Sequence, residues 1–168
     1  MKFLIASDIH GSAYYCEKLV KAYRDSGADR LLLLGDILYH GPRNDLPEDY
    51  SPKRTAELLN GIAKDIICVR GNCEAQVDSL MLDFPVLNES AYVFDEGKTL
   101  FLVHGHDESR LKSIPDGAVV LSGHTHIPAD LQKGSVRYIN PGSVSIPKQG
   151  SAHSYVIYDR GEFEFKEL

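Results

Sequence analysis

The chain has 168 residues, of which 43% are hydrophobic and 25% charged, with a formal net charge of -6. These values fit a globular chain able to bury a core, and they exclude the broad basic footprint that extended nucleic acid requires. No stretch approaches the roughly 18 apolar residues of a membrane span, so neither a membrane nor a long polyanion is an expected partner.

In chain order, residues 3–7 form an apolar run that stops at Ser7-Asp8. That run is too short for a signal-peptide core, and it reads as a strand. Gly11-Ser12 opens a helix with Ser12 as N-cap, Cys16, Leu19, Val20 and Tyr23 at helical spacing, and Gly27 as the stop. Leu31-Leu32-Leu33-Leu34 has the uniform apolar character of a strand buried on both faces, and it ends at Gly35-Asp36. Residues 39–52 hold Pro42, Pro47 and Pro52 and read as a loop, after which Pro52 starts a helix with Thr55, Leu58, Leu59 and Ile62 inward. A third strand covers 66–71, and the spacing predicts a short helix over 74–82. Residues 92–94 and 100–103 form a hairpin around Gly97, and 119–123 is another strand. Short strand-like runs follow at 135–139, 155–158 and 163–165, with a last turn over 159–162. The first half alternates strand and helix while the second is mostly strand. No repeat, low-complexity tract or linker interrupts the chain. The expectation is one α/β (α+β) domain over 1–168, with two packed sheets flanked by helices.

Five apolar runs each end in oxygen or imidazole donors: Asp8 and His10, Asp36, Asn72, His104, and His124 with His126. Asp8-x-His10 and His124-x-His126 place two donors on one side of an extended chain. A lone Asp at a strand end is usually a cap, and a lone His is usually a surface or core residue. Seven at predicted strand ends are hard to read as coincidence. Mixed oxygen and imidazole donors in that number exceed one tetrahedral zinc and suit two adjacent ions sharing a carboxylate. Cys16, Cys68 and Cys73 are irregularly spaced, which fits a reducing compartment, and the cytoplasm is the expected location.

Asp8-Ile9-His10-Gly11, Gly35-Asp36, Gly71-Asn72, His104-Gly105-His106 and Gly123-His124-Thr125-His126 stand in the order of the calcineurin-like metallophosphoesterase signature. The chain resembles that superfamily, and within it the small bacterial and archaeal YfcE-type phosphodiesterases. His40-Gly41-Pro42-Arg43-Asn44 and Asn140-Pro141-Gly142-Ser143-Val144-Ser145 extend the likeness over most of the chain. The resemblance implies an αββα sandwich of two mixed sheets and two divalent ions bridged by Asp36. One ion takes Asp8, His10, Asp36 and His126, the other Asp36, Asn72, His104 and His124. It further implies hydrolysis of a small phosphodiester by a hydroxide held between the ions. Manganese is favoured by the likeness; the donor set also accepts Ni, Fe or Zn. Relatives suggest a homodimer or homotetramer, built on the proline-rich loop and the final hairpin.

One position departs from the superfamily pattern. Where a histidine is thought to protonate the leaving group, the chain has Cys73 in Gly71-Asn72-Cys73-Glu74. A thiol is a less suitable proton donor near neutrality, so good leaving groups such as aryl oxides are expected to turn over faster than alkoxides. The competing reading of Cys73 is a small packed residue. Asp36, Asn72, Cys73, His104 and Arg43 are the catalytic candidates. Arg43 would contact a phosphate oxygen, with plain surface solvation as its alternative. Arg70 is read as a carboxylate partner at the strand end, His106 as a support for a ligand, His40 as a turn residue, and His153 as surface. A phosphomonoesterase, or a catalytically silent interaction scaffold of the same fold, are the alternative functions. All seven ligand positions are intact, and this separates the enzyme from the scaffold.

Overall fold

In the computed structural model, which describes residues 1–168 apart from the side chains of Glu108 and Ser113, ten strands form two sheets. The first contains β1 (Lys2–Ala6), β2 (Arg30–Leu33), β3 (Ile66–Cys68), β9 (Ser154–Asp159) and β10 (Glu162–Glu167), in the order β10-β9-β1-β2-β3. The second contains β4 (Ser90–Asp95), β5 (Lys98–Val103), β6 (Val119–Leu121), β7 (Pro128–Lys133) and β8 (Val136–Pro141), in the order β4-β5-β6-β8-β7. Both sheets are mixed. β1, β2 and β3 run parallel beside the antiparallel β9–β10 hairpin, while β5, β6 and β8 run parallel between antiparallel edges.

The uninterrupted apolar runs are explained by burial on two sides. Phe3 and Ile5 of β1, with Leu32 and Leu34, pack toward Leu100, Leu102, Leu121 and Ile139 of the second sheet. Their neighbours Leu4, Ala6, Leu31 and Leu33 pack toward the helices. A strand with solvent on one face would have alternated instead. Each fully buried leucine removes enough apolar surface from water to contribute about 1.5–3 kcal/mol. The helices α1 (Ala13–Ser26) and α2 (Pro52–Asn60) cover the first sheet. The outer face of the second is covered more thinly, by Leu111 and Ile114 at the 3-10 turn Glu108–Ser113.

The helix boundaries follow the expected signals. Ser12 caps α1 by accepting from the Tyr15 N–H, and Gly27 ends it in the left-handed region at φ 65°. Pro52 opens α2, which buries Thr55, Ala56 and Leu59. The helix expected over 74–82 is corrected to a five-residue 3-10 turn, Gln76–Leu80. Its entry is fixed by Asp78, whose carboxylate accepts from Ala75 N–H, and Glu74 turns inward to other partners instead of starting a helix. β7 has no counterpart in the sequence reading. It is an edge strand whose side chains are half-buried or exposed, so it carries no apolar pattern.

Candidate active site

The strand ends converge at one rim of the sandwich. Asp8 and His10 follow β1, Asp36 follows β2, Asn72 follows β3, His104 follows β5, and His124 and His126 follow β6. Five of these seven residues are non-glycine residues at positive φ: Asp8 59°, His10 48°, Asp36 55°, His124 67° and His126 62°. Such backbone is strained for an L-residue and persists only where surrounding contacts impose it.

Those contacts can be named. The Asp8 carbonyl accepts from the hydroxyls of Ser143 at 2.8 Å and Ser145 at 3.2 Å. The Glu74 carboxylate, buried on the far side, accepts from the N–H groups of Asp36 at 3.0 Å and Ile37 at 2.6 Å, and from that of Gly71. Asn140 donates to the Gly123 carbonyl at 2.7 Å and to the Thr125 hydroxyl at 3.1 Å, steadying the loop that carries His124 and His126. Gly71 and Gly123 are needed for close approach: a Cβ at Gly71 would strike the Asp36 carboxylate, and one at Gly123 would meet Asp8 Oδ2 at 2.7 Å.

The imidazoles are aimed by their outer nitrogens. Nδ1 of His10 donates to the Tyr39 carbonyl at 2.8 Å, Nδ1 of His104 to Leu34 at 2.6 Å, and Nδ1 of His126 to Ile146 at 2.6 Å. Each Nε2 is thereby turned inward, the arrangement that second-sphere carbonyls impose on metal-binding histidines. Nε2 of His10 and His126 face one another at 3.2 Å. With both Nδ1 atoms donating, two lone pairs meet there, and only a shared proton or a cation relieves them. Asp8 Oδ1 is buried without a hydrogen-bond partner, 3.2 Å from His126 Nε2 and 3.6 Å from His10 Nε2. Asp36 Oδ2 stands between His10 Nε2 at 3.7 Å and His104 Nε2 at 3.4 Å, placing one carboxylate oxygen across two groups of donors. Donor atoms of Asp8, His10 and His126 lie within 4.8 Å of one another, as do those of Asp8, Asp36 and His104. These residues fit a pair of hard-to-borderline divalent cations.

The charges reinforce this. Burial opposes ionisation of Asp8, but the imidazoles of His10 and His126 outweigh it and hold the carboxyl well below the usual range. Burial likewise opposes a charge on His104, yet the Asp36 carboxylate and the Asp8 charge lift its pKa to about 9. His124 is half-buried, and burial together with the His104 charge pushes its pKa down. Asn72 Oδ1 lies 3.1 Å from His104 Nε2, and the His104 and His124 rings are 5.1 Å apart.

A cavity of about 480 Å³ opens over the cluster, lined among others by Asp36, Asn72, His124, His126, Arg43 and Lys148. Arg43 therefore sits on the site wall. So does Cys73, whose N–H donates to Asp36 Oδ1 at 2.9 Å and whose thiol is pushed up by burial and by the Asp36 charge. Its sulfur lies within 4.8 Å of donor atoms of His10 and Asp36. Arg70 pairs with Glu89 at 3.2 Å, as expected of a strand-end cation. His106 is exposed, with its ring 5.5 Å from that of His104. His153 is corrected from surface to packing: it stacks on Tyr15 at 3.8 Å and donates to the Val144 carbonyl. Sequence reasoning missed Glu74, Ser145 and Lys148 as parts of the site. Glu74 sat in plain view inside the Gly71-Asn72-Cys73-Glu74 motif, whereas Lys148 carried no signal.

Comparison with known proteins agrees with this geometry. The calcineurin-like phosphoesterase superfamily domain matches residues 1–162. Phosphodiesterase YfcE of Escherichia coli K12 is 46% identical over 161 residues, covering 95% of this chain and 88% of the relative. The solved structure of the E. coli phosphoesterase YfcE superposes with a TM-score of 0.91 at 45% identity, over 95% of this chain and 89% of the other. An archaeal phosphodiesterase superposes with a TM-score of 0.75 at 22% identity over the whole of both chains, a likeness of fold.

Proposed function

Because the chain belongs to the calcineurin-like phosphoesterase superfamily, we propose that it is a dinuclear metal-dependent phosphodiesterase acting on small phosphodiesters with good leaving groups. The observation that carries the reading is the facing His10–His126 nitrogen pair beside the unpartnered Asp8 oxygen, a contact that calls for a cation. The proposed holders of one ion are Asp8, His10, Asp36 and His126, and of the other Asp36, Asn72, His104 and His124. Two such ions, manganese by preference, would supply Lewis acidity toward phosphoryl oxygens and would lower the pKa of a bound water.

The chain's own groups do the rest. Arg43 and Lys148, on the cavity wall, offer donors to the non-bridging phosphate oxygens. Glu74, Ser143 and Ser145 hold the carboxylates in place through the backbone. Cys73 faces the cavity where a proton donor would serve the leaving group. Its thiol holds its proton too firmly to be an effective acid near neutrality, which favours leaving groups that depart unprotonated. The name of the E. coli relative supports diesters over monoesters as substrates. No helix among the described residues is long and apolar enough to cross a membrane. The proposal includes a cytoplasmic homo-oligomer, and exposed Leu46 in the proline-rich loop and Phe165 in the last hairpin supply apolar surface for it.

The test is hydrolysis of bis(4-nitrophenyl) phosphate by chelator-stripped protein with Mn, Ni, Zn or Mg restored separately, against 4-nitrophenyl phosphate as the monoester. Metal-dependent diester turnover, lost in Asp36→Ala, is the expected result. Metal uptake without turnover of either ester sinks the enzyme reading in favour of a scaffold. Light scattering at working concentration checks the assembly.

A further inference from the structure

A second cavity, of about 320 Å³, opens beside the first and shares Cys73 with it as a wall. The two have opposite chemistry. The first is lined by carboxylate, imidazole, amide and cationic groups. The second is walled chiefly by Tyr39, Tyr50, Val77 and Met81, with Lys53 and Asp78 as its charged members. Val77 is 60% exposed, and Tyr39 and Met81 are each 42% exposed, so a patch of apolar surface is left in water next to a polar site.

The groove is built rather than incidental. The carbonyl of Tyr39 accepts from His10 Nδ1, which ties this wall to the cluster at the centre of the active site. The rings of Tyr39 and Tyr50 both pack edge-on against His40, at 4.7 and 5.1 Å. The loop carrying them is pinned to the start of α1 by Ser12 Oγ donating to Glu48, by Ala13 N–H donating to Asp49, and by Ser51 N–H donating to Gly11. The opposite wall is the 3-10 turn Gln76–Leu80, closed by Asp78.

We propose that this groove receives one aromatic arm of the diester, an aryl or nucleobase ring, while its phosphate occupies the neighbouring polar cavity. The inference rests on the phosphodiesterase reading and adds the substrate class. Continuity favours a substrate arm: a shared wall at Cys73 puts the groove within reach of a group bonded to the same phosphorus. Size favours it too, because ligand pockets start at about 300 Å³, room for a ring system and too little for a docked helix. Chemistry selects an aromatic arm over an alkyl one. Two tyrosine rings offer π faces and edges, and the sulfurs of Cys73 and Met81 make favourable contacts with an aromatic ring. A polynucleotide is disfavoured by the net charge of -6.

Calorimetry on Mn-loaded protein tests this with diphenyl phosphate, dimethyl phosphate and inorganic phosphate as probes. Diphenyl phosphate should bind about tenfold or more tightly than dimethyl phosphate, since only it buries a ring. Val77→Asn and Met81→Gln, both neutral and at exposed positions, should each remove most of that advantage and raise the KM for bis(4-nitrophenyl) phosphate. Affinity for the two ring-free probes should stay within about twofold. Equal affinity for the two diesters overturns the proposal, as does a parallel loss for all three probes. A change of mass in light scattering on either substitution also overturns it, because the groove would then be a contact between copies. Aromatic preference without turnover of any ester leaves the groove standing and sinks the phosphodiesterase reading; turnover without aromatic preference does the reverse.

Discussion

On one side of Asp36, the residues Asp8, His10 and His126 are buried, and the two histidines are aimed by carbonyls within 2.8 Å. On the other side only His104 is comparably enclosed; Asn72 is exposed and His124 half-buried. No side-chain hydrogen bond holds the His124 ring among the described residues, whereas its backbone N–H donates to Asp8 Oδ2 at 3.0 Å. The inner half is thus held by more contacts within the fold, and the outer half by fewer, at the face where the cavity opens. The difference suits a site in which one ion is held firmly and the other shares its surroundings with substrate.

The largest effect should come from removing the element the halves share. Asp36→Ala takes away the carboxylate oxygen between His10 and His104, and diester turnover should fall roughly a thousandfold, worth several kcal/mol of charge stabilisation. Metal content by elemental analysis should fall in both halves; retention of two ions per chain would break the bridging assignment. Glu74→Gln sharpens the comparison because it touches only the backbone of a proposed ligand, Asp36, and none of the metal-facing atoms. A carboxamide cannot accept from three N–H groups as the carboxylate does, and its own NH₂ opposes one of them. Metal affinity should drop about 10- to 100-fold, as for other supports of metal ligands. The loss should fall on the weaker of two binding steps in a manganese titration. An equal loss in both steps would mean that Glu74 acts through the shared Asp36 alone and not through Gly71 beside Asn72.

Helix limits and buried strands were legible because their signals are local: Ser12 and Gly27 bound α1, and an unbroken leucine run declares two buried faces. The seven proposed ligands were legible for a related reason, since each lies where an apolar run stops. The supports were not, because they act across the chain. Ser143 and Ser145 reach Asp8 from 135 and 137 residues away, and although residues 140–145 stood out as a turn that fits the family likeness, nothing in it announces the contact with Asp8. Glu74 misled in the other direction. It looked like the first residue of a helix, but its side chain is spent on N–H groups of Asp36, Ile37 and Gly71. Left-handed backbone at five non-glycine ligands was equally invisible, because Asp and His enter that region more readily than most residues but do not require it.

Cys73→His alters the chemistry at the cavity wall, where the residue's side chain stands within 4.8 Å of donor atoms of His10 and Asp36. An imidazole in place of the thiol restores a proton donor suited to neutral pH. Turnover of an alkyl aryl diester through its alkyl oxygen, or of a dialkyl diester, should rise about tenfold or more, less than the roughly 100- to 10,000-fold of a fully placed general acid. Bis(4-nitrophenyl) phosphate, whose leaving group needs no proton, should change little. A uniform change across leaving groups would assign residue 73 to packing.

The smallest effect concerns the metal-free protein, where protons stand in for the cations. His104 has an ordinary pKa of 6.5 when unfolded and about 9 in the fold, because Asp36 and Asp8 outweigh burial. A raised pKa means that the folded state binds the proton more tightly. Its stabilisation is therefore complete below about 6.5 and is lost as pH climbs through about 9. Chelator-treated protein should then show a falling Tm across that window, by about 2–4 °C for each kcal/mol lost. His104→Gln should flatten the slope. His10, also raised, adds to the trend from the inner half, while His124 is pushed down, so its opposite contribution falls below about 6.5 and outside this window. Manganese affinity should rise over the same window, since Nε2 must shed its proton before it can bind a metal. Parallel Tm profiles for the chelated wild type and His104→Gln would show that the proton on His104 does not hold the empty site together, and the burden would pass to His10 and Asp8.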